Sequence, residues 1–350
     1  MVQKKYLIIY FCIIFIFSCI SKEVIKERYI EQKPKEEEEL IQKVEVRSNS
    51  FIFLSASQTE GDLFLYDFLK NSLNQLSFFN NKEIKIISYS PDKKFILLSV
   101  ENYKPNIFIP SENKITAIKN KIYNDELLFI KSVEWLDNNS FLAIGKNYEY
   151  ENAIFKVYLK SDDEIFYTFL DSLLIDNCLQ FSLSHNKKFL AIFREDFGIW
   201  ILNLENFEFK NIIKLDEQYN ISLIWNEDDS SIFYNSKNII FNIDLNGFNK
   251  IVLVETDNID KIYQIPEKKF KLYYTIKKDN KTLIFLKNID KVGRGEFLFS
   301  VDFLKDLFFI SDKILFYDTY KNEIYSIDLE SLESKLIFNY SGIYSLTNNE

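Results

Sequence analysis

A strand–turn–strand unit recurs down this chain and limits its fold more than any other feature. The clearest copy is Tyr89-Ser90-Pro91-Asp92-Lys93-Lys94-Phe95-Ile96-Leu97-Leu98-Ser99-Val100. An apolar run stops at an aromatic residue, a polar turn follows, and a second apolar run begins. Pro91 pre-sets φ at the second turn position, and Asp92 tolerates the bend after it. Further copies lie at Val133–Ile144, Phe181–Ile192 and Leu223–Tyr234, with weaker ones at Tyr263–Phe270 and Phe309–Phe316. The turns begin near residues 90, 136, 184, 226, 265 and 310, a period of roughly forty to fifty residues. Later strands such as Gly198–Leu204, Ile239–Leu245 and Glu323–Leu329 share an apolar-x-apolar-Asx-Leu ending. Four strands per period is the content of one β-propeller blade.

The unit resembles the TolB/WD40-like (PD40-type) propeller repeat, whose consensus runs aromatic-Ser-Pro-Asp-Gly-Lys, a strand, then a Leu-Tyr-x-Leu-Asp strand. Tyr89–Lys94 follows it most closely, and Asp62-Leu63-Phe64-Leu65-Tyr66-Asp67 follows the later strand. The resemblance covers about 300 residues and implies an all-β, seven-bladed β-propeller over residues 51–350. The turn glycine is replaced in every copy: Lys93, Asn139, Lys187 and Asp229 stand near its position. Asn and Asp enter the left-handed region at modest cost, Lys less readily. Residues 51–79 supply three strands without an innermost one. Ser341–Glu350 reads as an inner strand plus turn and then stops. Pairing the two segments closes seven blades and leaves no open edge. Six blades would follow from one misread weak copy; eight fits this length less well.

The N-terminus carries an address. Lys4-Lys5 precedes the apolar run Tyr6–Phe17, and Ser18 and Cys19 follow. That run is shorter than the roughly twenty residues a membrane-crossing helix needs, so residues 1–18 read as a secretory signal. Ile16-Phe17-Ser18-Cys19 resembles the lipobox of bacterial lipoproteins, with Phe17 where a small or polar residue is usual. The resemblance implies cleavage before Cys19, a thioether-linked diacylglycerol on its sulfur and an acylated amine. One acyl chain holds a bilayer only marginally, while two or three anchor stably. Residues 19–50 then form a charged tether with the run Glu36–Glu39, too polar to drive burial. As a coil its reach is roughly 30 Å.

Charge and composition narrow the function. The net charge is −9 with Lys and acidic residues interspersed, and no basic stripe exists for nucleic acid. The excess of Phe and Tyr over Trp, with abundant Lys, Asn and Ile, matches AT-rich coding bias, so aromatic content is no ligand signal. Cys178, the one thiol of the folded part, reads as a buried small hydrophobe. His185, the only histidine, sits in a blade turn, and no Gly-x-Ser-x-Gly elbow accompanies it. Metal sites built of His and Cys are excluded by count. Ser161–Glu164 and Glu227-Asp228-Asp229 lack calcium-loop spacing and read as turn caps. Gly293-Arg294-Gly295 lacks the strand-to-helix context of a phosphate cradle. Trp135 and Trp225 share one repeat position, which argues for packing between blades.

The insertion Lys146–Asn152 should protrude, and its Tyr148 and Tyr150 are the candidate partner-binding residues. The reading predicts no catalytic residue, no metal and no cofactor beyond the lipid on Cys19. It predicts a non-enzymatic protein–protein interaction scaffold, lipid-anchored at the periplasmic face of the outer membrane. Resemblance to TolB- and BamB-type envelope propellers implies, at the level of fold alone, a partner in outer-membrane barrel assembly or envelope maintenance. The alternatives are a cell-surface lipoprotein binding an external ligand and a propeller hydrolase or lyase.

Overall fold

The second strand of most units has no polar face. Ile96-Leu97-Leu98, Phe141-Leu142-Ala143-Ile144, Leu190-Ala191-Ile192-Phe193 and Leu272-Tyr273-Tyr274 are buried throughout. A strand apolar on both sides needs a layer on each side, so sheets built around these strands must stack against one another. The computed structural model describes residues 50–347, excepting 58–59, 68–69, 71, 77–83, 101–103, 113, 121–125, 162–163, 171–174, 197, 216–220, 265–269, 292, 310–313, 321–322 and 340–342. All of these belong to the unit Val46–Glu350. Cys19, the signal segment and residues 19–49 lie outside the described residues.

The described residues form seven sheets and a single short helical turn, Pro110–Glu112. The first sheet holds Ser50–Ser57, Glu60–Asp67 and Ser72–Gln75, and the second runs from Ile84–Tyr89 through Ile96–Val100 and Lys104–Ile109 to Lys114–Ala117. The third comprises Phe129–Asp137, Ser140–Lys146, Ala153–Ser161 and Glu164–Phe169. The fourth comprises Cys178–Leu183, Phe189–Arg194, Gly198–Asn203 and Phe209–Lys214. Leu223–Trp225, Ser231–Ser236, Ile239–Asp244 and Lys250–Glu255 make the fifth. The sixth runs from Ile259–Gln264 through Lys271–Lys278 and Lys281–Asn288 to Glu296–Asp302. Leu304–Phe309, Ile314–Thr319, Glu323–Asp328 and Ser334–Asn339 make the seventh. The third sheet gains a fifth strand that the repeat did not foreshadow, Lys119–Asn120, parallel to Glu164–Phe169.

Apart from the added outer strand of the third sheet and the inner strand of the first, the strands of each sheet lie in chain order, and the first strands of the second to sixth sheets sit side by side. First strands therefore form the inner edge and fourth strands the outer edge of a β-propeller. The cores lie between sheets, because alternate residues of each second strand face opposite neighbours. Phe141 and Ala143 pack with Leu97 and Ile107 of the second sheet. Leu142 and Ile144 pack with Leu190 and Ile192 of the fourth. The same alternation joins the fourth to the fifth sheet, the fifth to the sixth and the sixth to the seventh.

The inner position of the first sheet is filled from the far end of the chain. Ile343–Thr347 runs antiparallel to Ser50–Ser57, with Ile52 opposite Thr347, Phe53 opposite Leu346 and Leu54 opposite Ser345. Both ends of the row of sheets thus meet in one sheet, and its inner backbone edge is paired rather than open. Truncation after Asn339 should cost on the order of 5 kcal/mol and lower Tm by roughly 10 °C. Calorimetry on the truncated chain checks this. A synthetic peptide of residues 341–350 added in trans should restore part of the loss, and an unchanged Tm would show the clasp to be dispensable.

Candidate interaction surface

The turns between first and second strands use one local design three times. In Ser90-Pro91-Asp92-Lys93 and Ser184-His185-Asn186-Lys187 the serine hydroxyl accepts the N–H of Phe95 (3.1 Å) and Phe189 (2.9 Å). The third residue closes a smaller ring: Asn186 Oδ1 accepts the Lys188 N–H at 2.8 Å, and Asp228 Oδ1 accepts the Ser230 N–H at 2.9 Å. The fourth residue is left-handed, with φ of 59° at Lys93, 59° at Lys187 and 57° at Asp229. The glycine position of the repeat therefore keeps its backbone although a side chain occupies it. Asn139 departs from this expectation: the third sheet turns tightly through Asn138-Asn139, with Ser140 paired directly to Asp137.

Two of those side chains, Asp229 and Lys187, reach the preceding sheet. The buried Asp229 carboxylate accepts the His185 N–H and Asn186 N–H (2.9 and 2.8 Å), and its Oδ1 lies 2.9 Å from His185 Nδ1. Lys187 Nζ donates to the Leu136 carbonyl. The repeated tryptophans act in the same direction: Trp135 Nε1 donates to Ser88 Oγ and Trp225 Nε1 to the Ser182 carbonyl, each at 2.9 Å. Each group joins the inner part of one sheet to its predecessor. His185 remains exposed on this face, as a turn residue.

On the opposite face, second-to-third-strand loops meet the connectors between sheets. Among the described residues the longest is Lys146–Asn152. Asn147 is buried, and its Oδ1 accepts the N–H groups of Glu149 (3.0 Å) and Tyr150 (2.7 Å). Tyr150 turns inward, edge-on to Phe169 at 5.2 Å, and burial followed by the neighbouring Glu149 pushes its hydroxyl pKa up. Tyr148 turns outward and is 73% exposed. Ion pairs flank the loop: Lys104 with Glu126 at 2.9 Å, Lys146 with Glu151, and Arg194 with Asp176 at 3.5 Å. Asn152 reaches Glu195 at 3.4 Å. The sequence singled out two tyrosines here; the structure exposes one and packs the other inward.

The other singled-out residues have structural surroundings. Cys178 is fully buried, and burial pushes its thiol pKa up to about 12, far from a reactive thiolate. Gly293 and Lys291 turn their carbonyls onto the buried Lys287 ammonium, the first at 2.8 Å, and burial lowers the Lys287 pKa. That loop is cinched around a lysine that no sequence signal marked. Asp228 caps its own turn, and Asp162 and Asp163 lie outside the described residues. Among the described residues, no three His, Cys, Asp or Glu side chains gather as a metal site.

No family profile and no curated sequence matches the chain. Solved structures share its fold at low identity. TolB from Acinetobacter baumannii superposes with a TM-score of 0.51 at 11% identity, covering 85% of this chain and 81% of that one. The β-propeller domain of Cps50 (Swd1) from Myceliophteria thermophila gives 0.52 at 10% identity, covering 77% and 90%. A prolyl endopeptidase gives 0.58 at 11% identity over 83% of this chain, which spans about half (48%) of that protein's length. Identities this low establish the β-propeller fold and nothing finer.

Two stability predictions follow from the turns. Asp229→Ala removes the acceptor of two backbone N–H groups of the preceding turn and should cost about 2 kcal/mol in urea unfolding. The buried Lys93 ammonium, whose pKa burial lowers to about 8, is costly to hold charged. Between pH 8 and the unfolded value of 10.5, the unfolded chain holds a proton that the folded chain has shed, so stability rises with pH. Lys93→Met should therefore be more stable than wild type at pH 7, with the advantage shrinking by pH 10. A pH-independent difference would show that the charge is not its cause.

Proposed function

We propose that the protein is a non-enzymatic binding scaffold of the cell envelope. A lipid on Cys19 anchors it, and the face carrying Lys146–Asn152 engages a protein partner. The observation that carries this reading is Tyr148, an exposed aromatic on a loop whose backbone Asn147 and Tyr150 already hold. A fixed tyrosine offers large contact area with little ordering entropy left to lose on binding. Glu149, next to it in the chain, suits a basic group on the partner. The tether lets the body stand off a membrane to which the acyl chains bind it. TolB likeness supports an envelope role at the level of fold alone, and the partner class favoured is a component of outer-membrane barrel assembly or envelope maintenance. The assignment gives no residue a catalytic, metal-binding or cofactor role.

Affinity capture from mild detergent tests it. Tyr148→Ala should weaken partner recovery about tenfold, the effect of an interface anchor worth 1–2 kcal/mol, with unchanged circular dichroism. Undiminished capture by the variant would remove this face from the interaction. Cys19→Ser should move the protein from the membrane to the soluble fraction. Protection from proteinase added to intact cells is expected for the periplasmic placement, and degradation would favour surface display.

A further inference from the structure

Three third-to-fourth-strand turns share one length and an Asx at their start. They are Asn203–Glu208, Asp244–Asn249 and Asp328–Glu333, in the fourth, fifth and seventh sheets. In each, the first residue's N–H donates to the sixth residue's carbonyl, at 2.9, 3.3 and 3.1 Å. The fourth- and seventh-sheet turns are also alike inside. Their fifth residue is left-handed, with φ of 60° at Phe207 and 57° at Leu332, and its N–H donates to the first residue's carbonyl at 2.8 Å. Phe207 packs back onto the core between the third and fourth sheets. The fifth-sheet turn closes one residue earlier. There Gly247 is left-handed, with φ +80°, and its N–H donates to the Asp244 carbonyl at 3.0 Å. A Cβ on Gly247 would lie 2.2 Å from the Ile212 carbonyl oxygen, so only glycine fits. Phe248, outside the left-handed position, is 85% exposed.

The residues around Phe248 depart from the two sister turns as well. At the third position Glu205 and Glu330 give way to Asn246, and at the sixth Glu208 and Glu333 give way to Asn249. Two residues further on, Lys210 and Lys335 give way to Ile251, which is 55% exposed. Asp244 spends its carboxylate on the turn, accepting the Phe248 N–H at 2.9 Å and the Asn249 amide at 2.6 Å. Lys250 lies back from the tip, its ammonium 3.9 Å from the centre of the Phe241 ring. Lys210 of the fourth sheet approaches Asn246 Oδ1 at 3.5 Å, on a stem long enough to turn its charge toward headgroups. Three charges present in both sister turns are thus replaced by uncharged groups around one exposed aromatic. Such a tip can enter a polar–apolar boundary without desolvating a charge.

We propose that Phe248 and its turn insert into the surface of the bilayer to which the chain is tethered. The point where the chain enters the propeller argues for this occupant. Ser50 begins the second strand of the first sheet, and Ile52 lies opposite Thr347 of the inner strand. The chain therefore enters at the end where other sheets carry their first-to-second-strand turns. Third-to-fourth-strand turns lie at that same end, because successive strands of a sheet are antiparallel. Phe248 thus shares a face with the entry of the segment that leads from Cys19, and Tyr148 lies on the opposite face. The inference rests on the lipid anchor of the proposed function, and docking leaves the Tyr148 face turned toward a partner. One aromatic by itself makes only a marginal membrane contact. A flexible tether raises the effective concentration to the order of 1 mM, where a marginal contact is populated. With a net charge of −9 the chain gains nothing from anionic lipid, so neutral headgroups suffice.

The test couples the chain from Cys19 onward, through the Cys19 thiol, to maleimide-bearing phosphatidylcholine vesicles containing brominated lipid. Coupling supplies an anchor whether or not Cys19 is lipidated in the cell, and the fully buried Cys178 does not compete. Phe248→Trp should show bromolipid quenching beyond that of the parent chain, and Tyr148→Trp should show none. Adding Asn246→Glu and Ile251→Lys to the Phe248→Trp chain restores two of the sister-turn charges and keeps the Asp244 bonds. That chain should lose the quenching with its circular dichroism unchanged. Equal quenching of the two reporters, or quenching indifferent to the added charges, would overturn the proposal. So would a dimer in sedimentation equilibrium that Phe248→Ser dissociates, since the patch would then be a contact between copies. If Phe248→Trp is quenched while Cys19→Ser stays on the membrane in cells, the insertion stands and the lipid anchor falls.

Discussion

Among the described residues, the second strand of a sheet is buried by its neighbours and not by its own sheet, and that dependence governs the rest. A strand such as Phe141-Leu142-Ala143-Ile144 sends alternate side chains into two different cores, one shared with each flanking sheet. Each buried Leu, Ile or Phe contributes roughly 1.5–3 kcal/mol only while the sheet it faces is in place. Stability is therefore a property of the row. Pairing Ile343–Thr347 with Ser50–Ser57 joins its two ends within one sheet.

The cores are apolar and non-directional, and polar stitches near the inner edge add directional contacts between neighbouring sheets. Trp225, Trp135, Asp229 and Lys187 each reach back to the preceding sheet. Asp229 and Lys187 do so from the left-handed position that a glycine would fill without strain. A side chain there costs about 1–2 kcal/mol of backbone strain, and its hydrogen bonds to the preceding sheet offset it. Asp229, with three such contacts, makes the exchange most clearly. Glycine would relax the turn and leave the preceding one unattached.

Against this frame, the two most exposed described aromatics flanked by pinned backbone are Tyr148 and Phe248. Both are held by a neighbouring side chain, Asn147 or Asp244, that spends its oxygens on loop N–H groups. They belong to opposite faces, one at a second-to-third-strand loop and the other at a third-to-fourth-strand turn. Both lie outside the cores, on the loops and turns that in propellers are free to vary while the cores stay apolar.

The period of the turns and the doubly apolar second strands determined the all-β propeller class from sequence, because burial on both sides leaves no polar alternation to hide. Local chemistry likewise made the Ser-x-Asx turns legible, and the polarity of Lys146–Asn152 marked it as a protruding loop. Tertiary structure alone decided the rest. His185 meets Asp229 across 44 residues, and Lys287 finds carbonyls in its own outer loop. Tyr150 and Tyr148 part ways, and Ile251 and Val252 are left uncovered where their alternation would suit a core. In each case the outcome depends on which side chain of a neighbouring sheet or loop lies opposite, and that follows from how sheets stack, a relation no local pattern in the chain encodes.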